Sequence, residues 1–103
     1  MTKEELTAWG LKNGWQMIDG SLVLTKPSSP KEAIVRLVFK ISVVSLEVKK
    51  PAGKWEKMAG AAYSAVVMNE ERELPEGLGL ESFPGFSMLM RDNKDRQVFG
   101  GMK

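Results

Sequence analysis

The sequence predicts an α+β fold: an N-terminal helix packed on a mainly antiparallel β-sheet of about five to six strands, joined as a hairpin meander. Three observations carry this. Thr2 and Glu5 have the spacing of a capping box and open an apolar-periodic segment. Asp19-Gly20, between two short apolar runs, is the turn chemistry of a β-hairpin. From Ile34 to Val48 the chain is rich in β-branched residues that alternate with polar ones.

The first helix is expected over Thr2 to Asn13. Leu6 and Trp9 share one face, and Leu11 flanks them. Gly14 suits the left-handed residue that closes a helix. Trp15 to Thr25 reads as a hairpin centred on Asp19-Gly20. That register sets Ile18 opposite Ser21 and Met17 opposite Leu22, and puts Trp15, Met17, Leu22 and Leu24 on the face the helix covers. Lys26-Pro27-Ser28-Ser29-Pro30 is a loop.

A conflict of signals follows. Ser29-Pro30-Lys31-Glu32 resembles a helix start, with Ser29 as cap and Pro30 first inside. The alternation of Val35, Leu37 and Phe39 with Arg36 and Val38 favours a strand from about Ile34, preceded at most by one helical turn. The alternation changes phase near Ser42 to Val44, which requires a bulge, bend or short connection there. The next turn falls at Pro51-Ala52-Gly53, with Trp55 just beyond it. Tyr63 to Met68 is a further strand candidate. Asn69 to Ser82 is a polar connection whose Leu74, Leu78 and Leu80 can tuck against the core. Phe86 to Arg91 reads as a late strand, Asp92 to Asp95 as a turn, and Gln97 to Phe99 as a return.

The chain of 103 residues is expected to form a single α+β domain over 1–103, with 100–103 frayed. The absence of cysteine favours a reducing compartment. No signal-like leader is visible and no apolar run is long enough to span a bilayer, so the expected location is cytoplasmic, without membrane association.

With neither histidine nor cysteine, the chain lacks the commonest general base, the thiolate nucleophile and the usual zinc ligand sets. The sequence assigns no catalytic residue, no metal and no cofactor. Glu70 to Glu76 lacks the alternation of a cation-binding loop and reads as solvated. Gly77-Leu78-Gly79-Leu80 lacks the third glycine of a phosphate loop, since Ser82 holds that place.

Charge is distributed unevenly. Lys26 to Lys57 holds eight basic residues and three acids, whereas Met68 to Glu81 holds five acids and one base. Lys49, Lys50, Lys54 and Lys57 flank one hairpin tip around Trp55. Arg36 and Lys40 belong to a basic sheet face if the strand continues through Ser42. Such a cluster suits a non-catalytic interaction module with a protein partner. The alternative is an RNA or single-stranded DNA binder, because lysines around an exposed aromatic hold phosphates and stack on bases. A third reading is a histidine-free enzyme, which requires carboxylates converging in a pocket. Lysines on a hairpin also serve simply to keep a sheet edge unpaired.

Overall fold

The structure, a computed structural model, describes residues 1–26, 28–80 and 85–100, the side chains of Pro30, Lys31 and residues 97–100 excepted. Helix α1 spans Lys3–Lys12. Thr2 caps it: its hydroxyl accepts from Glu5 N–H at 3.1 Å, and the Glu5 carboxylate accepts from Thr2 N–H at 2.9 Å. This reciprocal pair satisfies donors that the first helical turn leaves open.

Five strands follow as a meander, in the order in which they occur along the chain: β1 (Gln16–Ile18), β2 (Ser21–Lys26), β3 (Ser29–Phe39), β4 (Val43–Lys49) and β5 (Trp55–Ala62), every pair antiparallel. The first hairpin has the register expected from its turn, with Ile18 opposite Ser21 and Met17 opposite Leu22. Asp19 and Gly20 both have positive φ, as a type I′ turn demands. A 3₁₀ turn at Tyr63–Ala65 then leads to a two-stranded ribbon, β6 (Val67–Asn69) and β7 (Leu74–Glu76). Helix α2 closes the described chain at Phe86–Gly100.

One face of the five-stranded sheet builds the core. Leu22 and Leu24, Val35 and Leu37, and Val44 and Leu46 meet Leu6, Trp9 and Trp15 from the N-terminal side. Val66, Leu78, Leu80 and Phe86 complete the cluster. Removal of these side chains from water is the main stabilising term. Tilted ring contacts link Trp15 to Trp9 and to Phe86, with centroids 5.9 and 6.0 Å apart. Met17, assigned to this face by sequence, is exposed, because β1 ends at the sheet edge. Leu11 is exposed too, on the outer side of α1.

Three expectations need correction. No helical turn precedes β3: the strand begins at Ser29, paired with Lys26. Pairing along β2 outweighs the local capping signals of Ser29, Pro30 and Glu32. Second, Tyr63 to Met68 is not one strand. It is a 3₁₀ turn, the buried Val66 and then β6. Third, Phe86 to Phe99 is helical throughout, not a hairpin. Phe86, Leu89, Met90 and Asn93 recur at helical spacing, and they are the residues withdrawn from water, while Met88 is exposed. The connection expected near Ser42 to Val44 falls earlier: the chain reverses through Lys40–Ser42, Ile41 stands fully exposed at its tip, and Val43 and Val44 already belong to β4.

Helix α2 is tied to β2 through an amide. Asn93 is buried, with its Oδ1 accepting from Thr25 N–H at 3.0 Å and its Nδ2 donating to Thr25 C=O at 3.0 Å and Leu89 C=O at 2.9 Å. The side-chain amide thus takes the place of a neighbouring strand. It does so where the β2–β3 register shifts around Thr25. Arg96 donates to Lys26 C=O, Thr25 Oγ1 and Asn93 Oδ1. Gly14 lets the two units close: a Cβ there would lie 2.6 Å from Lys94 N and 2.9 Å from Met90 O.

Candidate binding surface

The second face of the sheet carries the polar rows. Register sets Val23, Arg36, Glu47 and Lys57 side by side across β2, β3, β4 and β5. Arg36 donates to Glu47 from Nε at 2.8 Å, and its Nη2 lies 2.6 Å from the same oxygen. The Arg36 guanidinium also sits 4.1 Å from the centre of the Trp55 ring. Arg36 is therefore held between a carboxylate and an indole, so its charge is largely satisfied within the sheet. Trp55 is half-buried and borders a shallow hollow with Ile18, Val23 and Ala33.

The turn between β4 and β5 fixes the lysines. Lys50 C=O accepts from Gly53 N–H at 2.8 Å, and Lys50 N–H donates to Lys54 C=O at 2.7 Å. Gly53 takes φ of +89°, which lets three residues reverse the chain. Lys49 stands opposite Trp55 at the end of the ladder. Lys50 pairs with Glu56 at 2.6 Å, with both side chains about half exposed. Lys54 is exposed. Lys57 folds across Gly60: a Cβ there would lie 2.9 Å from Lys57 Cε and 3.1 Å from its Nζ.

Strand pairing adds a neighbour that sequence proximity did not suggest. Lys26, at the end of β2, shares a concavity of about 420 Å³ with Lys49, Lys50, Glu32 and Ile34. The signal for this was available in principle, since an antiparallel meander returns the end of β2 to the end of β4.

Lys40 lies elsewhere. β3 stops at Phe39, so Lys40 and Ser42 belong to the connection and not to a strand face. Lys40 borders a different hollow, of about 580 Å³, with Lys3, Glu4, Ile41 and Tyr63, at the opposite end of the sheet from Lys49. Its carbonyl accepts from the Tyr63 hydroxyl at 2.7 Å. Burial and the nearby Glu4 carboxylate raise the Tyr63 phenol above its ordinary value. Arg36 and Lys40 therefore do not form one basic face.

The acidic segment offers no convergence. Glu70, Glu71, Glu73 and Glu76 are exposed, and Glu76 accepts from Asn69 at 2.5 Å across the small ribbon. Glu81 and Ser82 lie outside the described residues. Among the described residues no group of three acidic, histidine or cysteine side chains is placed to hold a metal ion, and no helix is long and apolar enough to cross a membrane. Comparison with protein-family models, with curated proteins and with solved structures finds no match to this chain.

Proposed function

We propose that this chain is a non-catalytic interaction module that binds an acidic segment of a protein partner at the basic end of its sheet. The observation that carries the reading is the concavity that unites Lys26 with Lys49 and Lys50, beside the exposed Lys54. Side chains brought together from separate strands make a surface that a flexible lysine run does not. Positive potential focused in a hollow raises the local concentration of acidic ligands. A polypeptide is favoured over nucleic acid by Trp55. One face of its ring is already occupied by Arg36, which leaves this half-buried side chain at most one face for the stacking that single-stranded bases use.

Titration of the isotope-labelled chain with a polyglutamate peptide tests this. The expected result is amide shifts at Lys26 and from Lys49 to Trp55, and affinity that falls as salt is added. Shifts confined to Asn69–Glu76 would contradict the assignment. Tighter binding of a mixed single-stranded RNA, with a steep salt dependence, would replace it with the nucleic-acid reading.

A further inference from the structure

We infer that the partner's acidic segment runs on from the basic end of the sheet as an added strand along β5; this rests on the interaction-module reading above. Among the described residues β5 is the long free edge of the sheet, running eight residues from Trp55 to Ala62, whereas β1 at the other edge has three. The phase of its hydrogen bonds follows from both ends. Lys54 C=O accepts from Lys50 N–H, and Tyr63 N–H donates to Ser42 C=O at 3.4 Å. Inward- and outward-pointing residues alternate in an antiparallel ladder. Counting from either end, Trp55, Lys57, Gly60 and Ala62 turn their N–H and C=O groups away from β4. The extra residue that reconciles the two counts is Met58, at the register shift opposite Leu46 and Glu47. No described residue hydrogen-bonds these outward groups.

Charge selects the occupant. Lys57 and Lys49 lie on the outer face of this edge, and Lys54 stands at its start. A second copy of the chain would bring the same basic set against itself, so the edge resists self-pairing. An acidic strand is attracted by the same residues. On the opposite side of β5, the small, partly buried Ala59 and Ala61 pack against the core. The added strand should therefore alternate, with carboxylates on the Lys57 side and apolar residues on the Ala59–Ala61 side.

The probe is a synthetic peptide in which glutamate and valine alternate, compared with the same peptide N-methylated at every second backbone nitrogen. N-methylation keeps the charge but removes one strand-pairing edge. Added-strand docking predicts that the unmodified peptide binds and slows amide exchange at Trp55, Lys57, Gly60 and Ala62. The peptide methylated on the pairing edge should bind at least about tenfold more weakly, the equivalent of one or two hydrogen bonds. The protein-side variant is Ala62→Pro. Ala62 already has φ of −64°, and its N–H serves no ladder bond, so proline fits without loss of the fold. A62P should weaken the unmodified peptide while leaving the melting temperature in place. Equal binding of both peptides, with exchange on β5 unchanged, overturns strand addition and leaves the basic concavity standing. Binding of neither peptide overturns both readings.

Discussion

Replacing Asn93 by leucine isolates the one polar contact that the core cannot do without. Leucine keeps the branched shape with somewhat greater bulk, so no cavity for water opens, but it has neither donor nor acceptor. Thr25 N–H and Thr25 C=O, both in a residue withdrawn from solvent, lose the partners they have at 3.0 Å. Each buried orphan costs about 1–3 kcal/mol, so the pair accounts for about 2–6. Added apolar burial returns roughly 1 kcal/mol. The expected net loss is about 1–5 kcal/mol, a large share of the ~5–15 kcal/mol typical of a domain. Equilibrium urea unfolding reads it directly. With a slope of about 2 kcal/mol per molar, the midpoint falls by roughly 0.5–2.5 M while the slope stays constant. Asn93→Asp provides a second arm, because a carboxylate accepts from Thr25 N–H but cannot donate to Thr25 C=O or Leu89 C=O. A loss below about 1 kcal/mol in the leucine variant would refute the idea that the amide replaces a strand.

The remaining predictions are briefer. Gly14→Ala forces a Cβ to within 2.6 Å of Lys94 N at a φ of +94°, so it should lower stability by more than about 1–3 kcal/mol; an unchanged melting temperature would show that α2 shifts freely. A double-mutant cycle between Arg36→Met and Trp55→Leu should report a coupling of about 0.5–1 kcal/mol, and a value of zero would mean the stacked arrangement is not held in solution. Tyr63 is the chain's sole tyrosine, so tyrosinate absorbance reports it alone. Its phenol is raised by burial and then by Glu4, so the neutral form is favoured in the folded state. The associated stability is fully present below the unfolded tyrosine value of about 10 and is lost as pH rises through the higher folded value. Glu4→Gln should bring the absorbance midpoint down, and an upward movement would reverse the assigned cause.

The parts of the fold set by local chemistry were the legible ones. Asp19-Gly20 fixed a turn, a register and the burial of Leu22 and Leu24 together, because a two-residue hairpin leaves one pairing that keeps apolar residues inside. Thr2 and Glu5 likewise define the start of α1. The failures came where local signals compete with distant partners. Ser29-Pro30 caps a helix in isolation, yet β2 lies two residues upstream, ready to pair. Phe86 to Met90 alternates well enough to pass for a strand, and only the longer spacing to Asn93 betrays a helix. Asn93 itself looked like turn chemistry, since nothing in the sequence announces that Thr25 lacks a strand neighbour on its β1 side. Of the candidate surface, the hairpin lysines were legible from their clustering. The alliance with Lys26 and the capture of Arg36 by Glu47 and Trp55 were not, because both depend on which strands lie side by side.

The meander has a consequence for how the molecule assembles. Each strand of the main sheet bonds to the one before it, so the ribbon can zip as it is synthesised, with short loops and little entropy spent on closure. The contact between Thr25 and Asn93 spans 68 positions, so α2 is made well after β2. Until that helix arrives, the C-terminal end of β2 holds an open seam. A lesion in the late helix should therefore speed the escape from the finished state far more than it delays arrival there.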